Sequence, residues 1–197
     1  MTGFIALCGV LGKLHEINLS GCHLGPASAA EFAKAVSDAD AAVKKINLSG
    51  CPLTGAATNR YGDWENIDSD MTGFIALCGV LGKLIEINLS GCHLGPASAT
   101  ELAKAVSDAE AALAHLAICQ NKIGSEGGTA LVEAIKTSNL ESISIGKDLT
   151  LPIKGELDSP TLDASDQDID PGYVIILAWW LTTPACLLYT SPSPRDS

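Results

Sequence analysis

The sequence predicts an α/β protein built as a solenoid, a row of strand–turn–helix units whose parallel strands pair side by side. Three observations predict it. One apolar pattern recurs: Leu14 to Leu24 reads LHEINLSGCHL, Val43 to Leu53 reads VKKINLSGCPL, Leu84 to Leu94 reads LIEINLSGCHL, and Leu113 to Ile123 reads LAHLAICQNKI. The copies keep a period, since Ile17 to Ile46 and Ile87 to Leu116 are both 29 residues apart. Helical signals follow the copies.

Within a copy the apolar side chains alternate. Ile17 and Leu19 point to one face of a short strand, while Glu16 and Asn18 point to the other. A lone strand cannot bury that face, whereas stacked copies share one core. Cys22, Cys51, Cys92 and Asn121 all stand at the ninth position, where the chain turns away from the sheet. A small donor there is expected to satisfy turn carbonyls that burial otherwise leaves unpaired. Gly25-Pro26 then leads ASAAEFAKAVSDAD, and Gly95-Pro96 leads the near-copy ASATELAKAVSDAE. Gly124 leads GSEGGTALVEAIKTS, with Leu131 and Ile135 on one face. Proline at the start and apolar spacings of three and four predict a helix in each case.

All four copies fit L-x-x-L-x-L-x-x-N/C-x-L, the leucine-rich-repeat signature. The chain resembles the ribonuclease-inhibitor-like leucine-rich repeats, most clearly over Asn121 to Ile145. The resemblance implies a horseshoe with parallel strands on the concave side and helices on the convex side, in one domain of about six repeats over residues 1–185. Two departures interrupt it. Residues 56–70, AATNRYGDWENIDSD, form a polar insertion expected to be a loop, and the fifth repeat, 140–161, keeps a strand but loses its helical pattern. A sixth copy, 162–181, aligns without gaps to 17–36, with Ile169 for Leu24 and Pro171 for Pro26, which predicts a helix over Val174 to Leu181.

Residues 1–40 and 71–110 match at 36 of 40 positions. MTGFIALCGVLGKL at the start therefore reads as a repeat element rather than a signal peptide, because it recurs from Met71 to Leu84 between two strands. At the other end, Cys186 to Asp196, CLLYTSPSPRD, resembles a translated sequencing-library adapter, so residues 186–197 are set aside as non-native or disordered. The chain is on that account expected to be a fragment of a larger repeat protein. An array opened in this way is also expected to leave a strand edge unpaired.

A net charge of −11 argues against nucleic acid or an anionic membrane as partner. The apolar run near Gly172 to Tyr189 is interrupted by Pro184, and no Lys or Arg between Lys154 and Arg195 anchors it, so a membrane span is not expected. Of the seven cysteines, Cys22, Cys51 and Cys92 fall at equivalent repeat positions, as do Cys8 and Cys78, which favours unpaired thiols and a cytoplasmic setting. The N-x-S sequons at Asn18, Asn47 and Asn88 are by-products of the repeat.

No catalytic, cofactor-binding or metal-ligating set is expected. Cys22-His23 and Cys92-His93 are adjacent pairs without zinc-ligand spacing, and Asp163, Asp166, Asp168 and Asp170 lack the closing Glu of a calcium loop. The expectation is a non-catalytic interaction scaffold whose partner is another protein. Its candidate contact residues are Glu16, Asn18, Lys45, Asn47, Glu86, Asn88 and His115 on the outward strand face, with Arg60, Tyr61 and Trp64 in the insertion. The alternatives are a regulatory subunit, either an inhibitor or a GTPase activator that uses Arg60, and a membrane-tethered receptor fragment.

Overall fold

A computed structural model describes residues 14–38, 42–108, 112–155, 162–165 and 169–183. Its elements in chain order are β1 (Glu16–Asn18), α1 (Pro26–Asp38), β2 (Lys45–Asn47), β3 (Ala57–Thr58), β4 (Trp64–Glu65) and α2 (Thr72–Cys78). After one 3-10 turn (Leu81–Lys83) come β5 (Glu86–Asn88), α3 (Pro96–Val106), β6 (His115–Ala117), α4 (Gly124–Thr137), β7 (Ser142–Ser144), β8 (Thr150–Pro152) and α5 (Pro171–Trp180). The N-terminal element 1–13, Asp166, Asp168 and the tail 186–197 lie outside the described residues.

Six strands form one sheet in the order β1-β2-β5-β6-β7-β8, and the first five are parallel. Register follows the sequence copies. Ile17, Ile46, Ile87, Leu116, Ile143 and Leu151 are paired in one line across the sheet, and none is more than 4% exposed. Leu48, Leu89 and Ile118 form a second buried row, and Leu53, Leu94 and Ile123 a third. Against these rows lie Phe32, Leu77, Leu102, Leu131, Ile135 and Ile176 from the helices, all in a single hydrophobic cluster. Burying one such side chain fully contributes about 2 kcal/mol. The first position of the pattern is buried at Val43, Leu84, Leu113 and Leu140, but Leu14, beside β1, is 46% exposed.

The helices pack on one another in chain order, α1 on α2, α3 on α4 and α4 on α5. Their small residues permit this closeness. A Cβ on Gly172 would lie 2.4 Å from the Gly124 carbonyl oxygen, so α5 seats on α4 only with glycine there. Asp170 ties the same junction, since its carboxylate accepts from Gly172 N (2.8 Å) and Gly124 N (2.9 Å). A carboxylate at two exposed backbone donors is favoured at a helix start.

The ninth-position side chains form a ladder. The Cys51 thiol donates to Leu19 O (3.3 Å), the Cys92 thiol to Leu48 O (3.1 Å) and the Asn121 amide to Leu89 O (2.9 Å). Each reaches the equivalent carbonyl one strand back. Asp148 occupies that position in the fifth copy and, as a carboxylate, cannot donate. Tyr173 from α5 supplies the missing donor: its hydroxyl donates to Ile118 O and accepts from Asn121 N (3.1 Å). The sequence pointed to the ninth position of each copy, and this rung comes from a helix instead.

The insertion, expected to be a loop, carries a hairpin, because β3 and β4 pair antiparallel. The fifth copy keeps its strand, β7, parallel to β6, and its stretch without a helical pattern supplies β8, which runs antiparallel to β7. Gly146, with Leu149 N donating to its carbonyl, makes the reversal tight. The sixth copy keeps its helix, which begins at Pro171, but residues 162–164 form no strand. Of the two edge strands, β1 and β8, the second is partly covered. Pro152 has no N–H to offer there, and the Trp180 indole N–H occupies its carbonyl at 2.6 Å. Trp180 is 1% exposed, while Trp179 beside it is half-buried against the core.

Removing the Tyr173 hydroxyl with Tyr173→Phe leaves the Asn121 N–H without its partner and takes from the Ile118 carbonyl one of two donors, the other being the Asn121 side-chain amide at 2.8 Å. A loss of about 1–3 kcal/mol in urea unfolding is expected, whereas Leu181→Ala on the exposed end of α5 is expected to change little. Equal stability of the Phe variant would show that the rung is not needed.

Candidate functional site

The outward face of the sheet carries the side chains that alternate with the core rows. Glu16, Lys45, Glu86, His115 and Ser142 stand in one line, and Asn18, Asn47, Asn88, Ala117 and Ser144 in the next. In the first line the Lys45 ammonium sits 2.8 Å from the Glu86 carboxylate. The hydrogen bond and charge of Glu86 hold Lys45 above its ordinary pKa. His115 Nδ1 lies 2.9 Å from the Ser142 hydroxyl. In the second line the Asn18, Asn47 and Asn88 side-chain oxygens accept from the backbone N–H of Ser20, Ser49 and Ser90, two residues on, at 2.9 to 3.0 Å. These asparagines therefore shape the turn as well as the face.

Where the strands end, the chain enters left-handed turns at Gly21 (φ 64°), Gly50 (φ 73°), Gly91 (φ 63°) and, in the fourth copy, Gln120 (φ 59°). Glycine adopts this conformation freely, and Gln120 does so at a cost. The stacked turns floor an open groove of about 670 Å³, lined by Ser20, Ser49, Ser90, Cys119, Gln120, Ser144, Gly146 and Lys147 among others. The side chains are short, so the backbone is accessible across five repeat units. Cys119, in the fourth turn, is only 9% exposed.

The hairpin stands at the turn end of the sheet. Trp64 stacks on His93, with ring centroids 3.3 Å apart and planes at 23°. Asp68 fixes the base of the insertion, its carboxylate accepting from Ala97 N (2.9 Å), Ser98 N (3.2 Å) and Gly95 N (3.2 Å) at the start of α3. Thr54 adds a bond from its hydroxyl to His93 O at 3.4 Å. At the tip, Tyr61 is 74% exposed with the Arg60 guanidinium 4.8 Å from its ring centroid, and Trp64 is 40% exposed. A second, smaller cleft of about 220 Å³ lies between Trp64 and Ile67 on one side and Gln120 and Lys122 on the other. Gln120 lines both depressions.

The outward-face residues named from the sequence thus form one surface, and Arg60, Tyr61 and Trp64 form a second, on the hairpin. What joins the two, Gln120 with His93 and Lys122, was missed. The signal was present: Gln120 replaces the glycine of the other copies, and His93 follows the third ninth-position cysteine.

Burial pushes the Cys78 and Cys92 thiols up to about 12, so neither is a thiolate near neutral pH. The described cysteines Cys22, Cys51, Cys78, Cys92 and Cys119 are free. Among the described residues no cluster of three or more His, Cys, Asp or Glu is placed to hold a metal ion. No helix among them is long and apolar enough to cross a membrane. No family model and no curated protein matches the chain. What the geometry offers is a broad polar face with an aromatic rim.

His93 makes the rim sensitive to pH. Its burial, and then the charge of Lys122, hold its pKa below the usual value. The docked hairpin therefore favours neutral imidazole, and that contribution is full above about pH 6.5. It is lost as pH falls from there through the lowered value. Trp64 emission, followed in a background with Trp179 and Trp180 changed to Phe, is expected to shift over that window. The same titration with His93→Gln is expected to be flat; a flat titration with His93 present would exclude the coupling.

Proposed function

We propose that the chain is a leucine-rich-repeat module of the ribonuclease-inhibitor-like type, non-catalytic and cytoplasmic, that binds another protein through its outward sheet face and hairpin rim. One observation carries this reading. A wide, polar, hydrogen-bonded face adjoins a rigid hairpin exposing Trp64, Tyr61 and Arg60. Trp, Tyr and Arg are the residue types that dominate interface energetics. Side chains held on a rigid scaffold lose little freedom on binding. The in-register copies and the parallel strand order support a stacked-repeat solenoid, with this face on its concave side. Thiols that bond carbonyls rather than one another support a reducing compartment.

The regulatory alternative rests on Arg60. Its guanidinium lies over Tyr61, and as one partner of a tip pair it acts more readily as an epitope than as a charge delivered into an active site.

Display selection for binders of the folded chain tests the proposal. Binders are expected to lose about tenfold or more in affinity with Trp64→Ala or Tyr61→Ala and to be insensitive to Glu133→Arg on the exposed side of α4. Binders that respond only to helix-side changes would reverse the assignment of the face.

A further inference from the structure

Residues 1–40 and 71–110 are near-copies, so β5 and the start of α3 have a twin in β1 and the start of α1. The twins share their turn geometry, with φ 64° and 63° at Gly21 and Gly91, and 53° and 56° at His23 and His93. Their neighbours differ. β5 pairs with β2, whereas β1 is the first strand of its sheet.

Residues 44–68 hold β5 and α3 through side chains and backbone alike. Lys45 meets Glu86 at 2.8 Å. The Lys44 carbonyl accepts from Ile85 N and Glu86 N, while Leu48 N and Gly50 N donate to Asn88 O and Ser90 O at 2.9 Å. The Cys92 thiol donates to Leu48 O at 3.1 Å. Asp68 accepts from Gly95, Ala97 and Ser98 N–H, and Trp64 stacks on His93.

The β1 twin presents the same groups without that neighbour. Glu16, Cys22 and His23 are exposed, and Ser28 is half-buried where Ser98 is buried. Leu14 is exposed where Leu84 is buried. By strand equivalence, His15 N, Glu16 N, Asn18 O and Ser20 O point away from β2. The four positions that differ between the copies, 15, 30, 32 and 40, carry none of these side chains.

Charge and topology narrow the occupant. Along the outward line Glu16, Lys45 and Glu86 alternate in sign, and a cation continues the series beyond Glu16. The other end of this sheet offers no such strand, since β8 is antiparallel and reads Thr-Leu-Pro. In a second copy of the chain β2 already lies between β1 and β5. The fitting occupant is a unit of the β2 kind whose far edge is free.

We propose that the β1 edge and the start of α1 dock a repeat unit of another protein, one that matches residues 43–70 in chemistry. It supplies a parallel strand reading basic, apolar, Asn, a carbonyl for the Cys22 thiol and a carboxylate for the first N–H groups of α1. Main-chain bonds along an exposed edge supply affinity, and an edge already in its docked conformation loses little freedom. This surface is distinct from the face and rim above, and the inference does not depend on them.

A fluorescein-labelled peptide of residues 43–70, with Cys51→Ser to prevent a disulfide to Cys22, tests it by anisotropy with the full chain. It is expected to bind at least about tenfold more tightly than a scrambled peptide. Glu16→Lys in the chain sets like charges on neighbouring strands and should weaken binding about tenfold. Lys45→Glu in the peptide should restore binding to that variant. Glu16 is exposed, so an unchanged urea midpoint certifies the fold. Asp68→Asn in the peptide should also weaken binding.

Equal binding of the scrambled peptide, or binding of neither, overturns the proposal. Binding that Glu16→Lys leaves unchanged places the peptide at β5, by displacement of β2, and overturns it too. Sedimentation of the chain alone is expected to show a monomer. A dimer that Glu16→Lys dissolves would give the edge to a second copy and overturn the assigned occupant.

Discussion

Everything in this molecule hangs on how the strand ends are satisfied. Each parallel strand is three residues long, too short to hold register through its own ladder alone. Beyond the last paired residue the chain must turn inward, which buries carbonyls at Leu19, Leu48, Leu89 and Ile118. A donor from the next unit reaches each of them: Cys51, Cys92, Asn121 and finally Tyr173. The Leu19, Leu48 and Ile118 carbonyls also accept from a donor in their own turn, Cys22 N, Cys51 N and the Asn121 side-chain amide, so each rung adds a bond between units to one within the unit. Because each rung spans two units, no unit is correctly folded until its neighbour is in place, and the flatness of the outward face follows from that shared register.

The helix side obeys a second constraint, which is closeness. α5 approaches α4 with backbone nearly touching at Gly172 and Gly124, and this approach is what lets Tyr173 extend through the core to the strand end. The last rung is thus a product of helix packing. It also accounts for the burial of Trp180, whose indole needs a carbonyl partner and finds it at Pro152.

The regular part of the fold was legible because it repeats. Four copies of one pattern state which residues face inward, which turn and which cap, and the observed rows of Ile17, Ile46, Ile87 and Leu116 follow that pattern by position. The irregular parts were not legible, since each is decided by contacts far apart in sequence. The hairpin at residues 57–65 exists because Asp68 and Trp64 find α3 and His93, and neither partner is implied by the local sequence. The reversal at β8 depends on Trp180, 28 residues further on. Of the candidate site, the outward strand residues could be read from alternation. Their link to the hairpin could not, because it runs through Gln120 at a turn where side-chain direction depends on a left-handed backbone.

The reversed strand has a consequence for how such an array can change in length. Gene duplication lengthens a repeat protein when the new unit can pair on both of its sides. Up to β7 every junction of the main sheet is parallel, and residues 1–40 and 71–110 are near-identical copies in sequence. At β8 the polarity flips, proline removes a donor and an indole occupies the outer carbonyl. A unit added on that side would meet an edge of different polarity and with one donor fewer, so the two ends of the sheet are not equivalent as places for a further strand.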